Sequence, residues 1–211
     1  MGDHAPGDVL PGELDLAAQH GVSRSVIREA MRMLASKRLI VSRQKAGTRV
    51  RPRGDWNLLD PDLLEWMFDG MPAVSFVRNL FELRMIVEPA AAELAAVKRS
   101  ARQLSEMGHA LETMAQHGLG GEVGQAADQK FHSVLLDATG NELLMNLSST
   151  ISAAVRWTTL FKYRESKQPR DPIPQHRVLY EAIADGDPAA ARSAAIKLIA
   201  EAEQDTAALV R

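Results

Sequence analysis

The sequence predicts a mainly α-helical chain in two parts: an N-terminal winged helix-turn-helix, then an antiparallel all-helical bundle. Three observations predict it. Apolar residues recur at helical spacing along much of the 211 residues. One stretch, 39–50, changes to the β-branched, turn-punctuated pattern of a hairpin. The charge is also divided. Residues 24–53 hold ten Lys and Arg against one acid, Glu29, a net +9, while the whole chain carries −2 and the remainder therefore −11. Such a division separates a part that meets a polyanion from a part that does not.

The elements follow in order. Leu10, Pro11 and Gly12 break the chain, and 13–20 reads as a short helix with Leu14, Leu16 and Ala17 as its apolar side. Gly21 suits the left-handed position after a helix, and Ser23 suits the N-cap of the next one. In that next helix Ile27, Ala30, Met31 and Leu34 fall at i, i+3, i+4 and i+7, a stripe to be buried. Arg24, Arg28 and Arg32 fall at i, i+4 and i+8 on another face. After Arg38 the pattern becomes Leu39-Ile40-Val41, a turn at 44–47, and Thr48-Arg49-Val50. Residues 1–52 thus form the first domain, 53–60 a linker containing Gly54 and Asp55, and 61–211 the bundle.

Within the bundle, helices are expected at 61–68, 74–97, 101–117, 122–138, 142–163, 175–184 and 189–210. Pro89 should kink or interrupt the second of these. Ser100 and Asn141 start helices, Gly140 and Gly186 end them, and Asp187 with Pro188 opens the last. Neither repeats nor strand-like alternation occur after Val50. The spacing of the loops favours antiparallel packing.

Composition bounds the chemistry. With 45% apolar and only 5% aromatic residues, the chain suits a soluble helical protein with real cores. Having no cysteine, it excludes disulfides, thiolate metal sites and cysteine nucleophiles. It has neither an apolar run long enough to span a membrane nor a signal pattern, so a cytoplasmic location and no membrane partner are expected.

A helix-turn-helix sets the start of its second helix in the major groove of DNA. Here that start carries Ser23, Arg24, Ser25 and Arg28. Arg makes paired hydrogen bonds to guanine, and serines reach phosphates. Arg43, Lys45 and Arg49 on the wing would lie near the backbone or minor groove. A solvated basic face would carry the same charge, but the turn, the stripe and the hairpin together favour double-stranded DNA.

The run LPGELDLAAQHGVSRSVIREAMRMLASKRLI, with GTRV after it, resembles the DNA-binding domain of the GntR family of transcription factors. That resemblance implies Ser23, Arg24, Ser25 and Arg28 as DNA-contacting positions and Gly47 as the wing tip. Leu14 stands where some members have a DNA-contacting Arg. The family also has a helix ahead of LPGE, which this chain begins too late to hold. The domain is therefore expected to lack its first helix and to expose core. ELRMIVEPAAAELAA (82–96), DQKFHSVLLDATGNELL (128–144), HRVLYEAIADGD (176–187) and AARSAAIKLI (190–199) are similar to the ligand-binding (FCD) bundle of the FadR-type branch.

The residues themselves allow a pocket. Asp128 and His132, at i and i+4, share a helix face, and His176 begins another helix. A carboxylate with imidazoles suits one divalent metal such as zinc, nickel or manganese, although a helix-surface hydrogen bond would use the same spacing. The resemblance implies an Asp, His, His, His set, and Leu198 stands where the third His is expected. It also places Arg84 inside the bundle. A buried Arg needs an anion, either a ligand carboxylate or an internal partner among Glu82, Glu88 and Asp128. Arg156 is a second candidate for the effector, beside Arg84, Asp128, His132 and His176.

These expectations describe a homodimeric repressor on a palindromic operator, controlled by a small carboxylate effector, a sugar acid such as galactonate. The alternatives are a metal-dependent enzyme using Asp128, His132 and His176, and a truncated fragment that does not bind DNA. No nucleophile or base beyond the ligands is positioned for catalysis, so an enzyme is not expected.

Overall fold

The computed structural model describes residues 4–43 and 47–210. The chain divides into two compact units, Met1–Leu63 and Leu64–Arg211.

The first unit holds α1 (Glu13–His20), α2 (Arg24–Ser36) and an antiparallel hairpin of β1 (Ile40–Arg43) and β2 (Gly47–Val50). Gly21 takes the left-handed conformation at φ 64°, and the Val22 amide closes the end of α1 onto the Ala17 carbonyl. The Ser23 hydroxyl caps α2 by accepting from the Val26 amide at 3.3 Å. In the hairpin Ile40 pairs with Val50 and Arg43 with Gly47. The chain ahead of α1 joins the far side of β2, since Gly7 and Leu10 donate to Val50 and Thr48 and the Val50 amide donates to Asp8. The expected turn over 44–47 falls mostly outside the described residues, and Lys45 falls wholly outside them.

Two expectations change here. Of the predicted stripe only Ile27 is buried; Ala30, Met31 and Leu34 line an open apolar groove of about 420 Å³ with Leu16, Leu39 and Trp56. Among the described residues no element of this unit packs across that side of α2. Lys37 meanwhile leaves the basic surface. It is 5% exposed, and its Nζ lies 2.7 Å from both Asp60 Oδ1 and Asp62 Oδ2. The span expected as linker carries a short 3-10 turn, Arg53–Asp55, and Arg51 pairs with Asp55 there at 3.2 Å.

The helices that follow are α3 (Pro61–Phe68), α4 (Val74–Lys98), α5 (Ala101–His117), α6 (Glu122–Asp137), α7 (Glu142–Met145), α8 (Ser148–Glu165), α9 (Ile173–Asp185) and α10 (Pro188–Ala207). Pro89 does not interrupt α4. It costs one backbone bond, but the buried alanines 91, 92, 95 and 96 continue the helix. Small side chains on both helices let α4 and α10 approach closely, and theirs is the most extensive pairing in the second unit. The helix expected over 142–163 is two: Asn141 caps the four-residue α7, and α8 restarts at Ser148. Ser100 and Gln103 form a full capping box on α5, and Asp187 caps α10 ahead of Pro188.

One core of the second unit is aliphatic and packs α4, α5, α6, α9 and α10 around Phe131 and Leu135. The other is aromatic, where Phe68 meets Phe76 and Phe161 at centroid distances of 5.9 and 6.2 Å. The start of α6 fits against the preceding loop without room for a side chain. A Cβ at Gly124 would lie 1.7 Å from the Gly118 carbonyl oxygen. Gly124→Ala is therefore expected to destabilise the unit by about 1–3 kcal/mol, read as a lower thermal midpoint. An unchanged midpoint would contradict that fit.

Candidate nucleic-acid interface and ligand cavity

On the first unit Ser23, at the N-cap of α2, and Arg24, Ser25, Arg28 and Arg32 along it are all exposed, whereas Ile27 is buried. Arg24 Nε donates to Glu13 Oε2 at 2.9 Å, and Arg28 Nε lies 3.6 Å from the same oxygen. One carboxylate of α1 thus holds Arg24 and Arg28 side by side. The Arg24 hydrogen bond draws the Glu13 carboxyl below its ordinary pKa. At the wing Gly47 has φ 75° and is exposed, as is Arg43. Arg49 is exposed as well, but its Nη1 donates to the Gly7 carbonyl at 3.0 Å. Every described DNA candidate is therefore on the surface, and together they form a basic ridge and wing.

The second unit brings Arg84, Asp128, His132 and His176 to one buried cavity of about 30 Å³. Arg156 is not among them. It is exposed on α8 and stacks over Trp157 at 5.0 Å. Val155, Thr158, Thr159 and Lys162 form the α8 wall, and residue 156 falls outside that stripe. Leu198 from α10 completes the lining with an aliphatic side chain.

Proton placement follows from the partners. His176 Nδ1 lies 2.9 Å from the Pro172 carbonyl, which only accepts, so Nδ1 carries the hydrogen. His132 Nδ1 lies 2.6 Å from Glu88 Oε2, a carboxylate, so the same holds there. A ring that is neutral in this arrangement points a bare Nε2 into the cavity. The two Nε2 atoms are 3.3 Å apart and lie 3.1 Å (His176) and 3.6 Å (His132) from Asp128 Oδ1. Asp128 Oδ1 is buried with no hydrogen-bond partner, while Oδ2 accepts from Thr159 Oγ1 at 3.1 Å. With both rings neutral, three acceptors converge with no proton between them. Such a cluster needs a cation at its centre, either a proton on an imidazole or a metal ion.

The triangle suits a metal. Ligands about 2.1 Å from a tetrahedral zinc lie roughly 3.4 Å from one another. The observed edges bracket that value, and Asp128, His132 and His176 are the set whose ligand atoms come together. Leu198, at the position where the resemblance implies a third His, lines the cavity and offers no ligand atom.

Arg84 finds its anion within the chain. Its Nε donates to Glu88 Oε1 at 2.6 Å, and both residues are buried. Burial raises the Glu88 pKa, but Arg84 and His132 outweigh it and bring the value to about 2. Burial likewise pushes Asp128 upward, and His176, His132 and Arg84 hold it down at about 2.

The site has members that sequence reasoning missed. Glu88 stood only as one possible partner of Arg84, and its i+4 spacing was the available signal. Lys162, 6% exposed, donates to the Arg170 carbonyl at 3.1 Å and lies 3.5 Å from Asp205. Burial lowers its pKa against the pull of Asp205. Arg170 in turn donates to Asp205 at 3.1 Å and lies 2.8 Å from Glu201, tying the segment between α8 and α9 to α10. Thr158, Thr159 and Thr206 add hydroxyls to the lining. No local sequence pattern announced these residues.

Residues 79–201 match the FCD domain, and residues 1–50 match the family described as bacterial regulatory proteins, gntR family. The chain is 33% identical over 201 residues to the galactonate operon transcriptional repressor of Escherichia coli (strain K12), covering 94% of this chain and 87% of that protein. It is 32% identical over 209 residues to the HTH-type transcriptional regulator LutR of Bacillus subtilis (strain 168), covering 96% and 93%. Among solved structures it is similar to Streptococcus agalactiae GntR, with TM-score 0.55, 27% identity and coverage of 96% and 92%. No described helix is long and apolar enough to cross a membrane. With an exposed basic helix-turn-helix in one unit and a buried ligand cavity in the other, the chain belongs to the gntR family of bacterial regulatory proteins, FCD branch, and is an effector-responsive, DNA-binding transcriptional regulator rather than an enzyme.

Proposed function

We propose that the protein is a homodimeric repressor of a palindromic operator, released by a small sugar acid such as galactonate that binds with a divalent metal. A two-fold dimer matches a two-fold site. Ser23, Arg24, Ser25 and Arg28 would meet the half-site, with Arg43, Gly47 and Arg49 on the wing, and residues 53–60 would link the two domains.

The observation that carries the effector reading is the trio of acceptors around the orphaned Asp128 oxygen. Asp128, His132 and His176 would hold the metal, which supplies a positive centre for a carboxylate oxygen. With both imidazoles neutral, charge counting supports the metal. Arg84 and Glu88 cancel, and Lys162 is matched by Asp205, so Asp128 leaves the cavity at −1. An acid alone would take a buried site to −2, which costs several kcal/mol. A divalent ion with the acid brings the sum to zero. The threonine hydroxyls suit the hydroxyls of an aldonate, and the named role of the galactonate relative points the same way.

A cavity of about 30 Å³ holds an ion and a water, not a sugar acid. Binding must therefore favour a more open arrangement of the bundle, and that difference is the free energy available to move the DNA-binding units. The test is a thermal-shift titration with galactonate, in zinc and in chelator. The expected result is a rise in midpoint with zinc present and none with chelator. An equal rise in both would refute metal-linked binding.

A further inference from the structure

We infer that Glu88 is the positioning residue of this site: its carboxylate holds the His132 ring so that the Nε2 lone pair faces the cavity, and holds Arg84 beside it. The inference rests on the metal reading above for its purpose, and on geometry for its substance. Glu88 lies on α4, 1% exposed, one helical turn after Arg84. Oε1 accepts from Arg84 Nε and Oε2 from His132 Nδ1, both at 2.6 Å. An ionised carboxylate cannot donate, so the proton of neutral His132 is confined to Nδ1. The partner ring, His176, is set by the backbone carbonyl of Pro172 at 2.9 Å. Among the described residues, the Nδ1 of His132 is held by a side chain and that of His176 by the backbone.

The same carboxylate also sets what Arg84 presents. With Nε engaged, and no other hydrogen-bond partner for Arg84 among the described residues, the two Nη groups remain for an incoming carboxylate. Glu88 therefore joins the metal half and the acid half of one site, and it touches neither the metal nor the acid itself.

Glu88→Gln is the discriminating change, because an amide has the same shape with the opposite capacity on one side. Its oxygen accepts from Arg84 and its NH₂ donates to His132 Nδ1. The His132 proton must then sit on Nε2, where a metal needs the lone pair. Nitrogen-detected NMR of the imidazoles in the metal-free full chain reads the tautomer. Zinc affinity is read by competition with a chromophoric chelator. The wild type is expected to show Nδ1–H at His132 and the variant Nε2–H, with zinc affinity lower by about 10–100-fold.

If Glu88→Gln does not fold, because Arg84 is left charged and buried, the double variant Arg84→Met, Glu88→Leu removes that charge and the acceptor together and keeps the imidazole readout. Loss of the fixed Nδ1–H form, seen as a mixture of tautomers at His132, is expected there. Nε2–H at His132 in the wild type, or a folded variant with the wild-type tautomer and zinc affinity, would overturn the inference. A wild type with Nδ1–H that binds no zinc overturns the metal reading alone and leaves the positioning of His132 supported.

Discussion

Replacing Arg24 and Arg28 together with alanine is expected to lower operator affinity by roughly 30- to 10⁴-fold while the protein keeps its fold. Each arginine that grips a guanine edge contributes about 1–3 kcal/mol of discrimination, and two give the quoted range. Both side chains are exposed, and their partner is one half-buried carboxylate, Glu13. Surface pairs of that kind add little stability, so the melting midpoint should stay near the wild-type value. Fluorescence anisotropy with labelled operator, repeated across salt concentrations, separates two effects. Loss of base contacts relaxes sequence preference, and loss of phosphate contacts flattens the salt dependence. Unchanged affinity and an unchanged salt slope would remove α2 from the DNA interface.

Asp128→Asn should produce the second large effect, in the other unit. The amide oxygen keeps the bond from Thr159 Oγ1, and the NH₂ replaces the orphaned Oδ1 beside the bare His176 Nε2 at 3.1 Å. It can donate there, so the metal-free variant should be at least as stable as the metal-free wild type. Metal binding should suffer. A complete zinc site is worth about 10–16 kcal/mol over four ligands, so one anionic ligand carries on the order of 3 kcal/mol, or ~10²-fold in affinity. Calorimetric zinc titration beside a chelated thermal melt gives both numbers. Wild-type zinc affinity, or a variant that melts well below the chelated wild type, would show that the trio is an ordinary buried hydrogen-bond cluster.

Legibility in the sequence followed the range of the forces involved. Gly21, Ser23, Ser100 and the Asp187-Pro188 pair act within a few residues of themselves, and each ends or starts a helix where local rules place it. The split at 146–147, the survival of α4 through Pro89 and the burial of Lys37 depend on what packs alongside, which no local window contains. The cavity shows the same division. Asp128 and His132 were legible because four residues apart on a helix means one face. Arg156 was chosen for its charge rather than for its phase on α8, and the phase turned it to solvent. The i+4 spacing of Glu88 pointed to Arg84, but its bond to a histidine 44 residues away lies outside any local window. For Arg84 the sequence left a ligand carboxylate and an internal partner both open, and Glu88 is the internal partner.

The smallness of the chamber has a kinetic side. A space of about 30 Å³ admits no organic acid in the arrangement described. On the proposed function the bundle opens first, and the tie from Arg170 to Asp205 and Glu201, which holds the segment between α8 and α9 to α10, resists that opening. Capture of the proposed effector then proceeds no faster than that parting of helices. Adding more acid speeds the response only up to a plateau, and the height of the plateau reports the rate of opening.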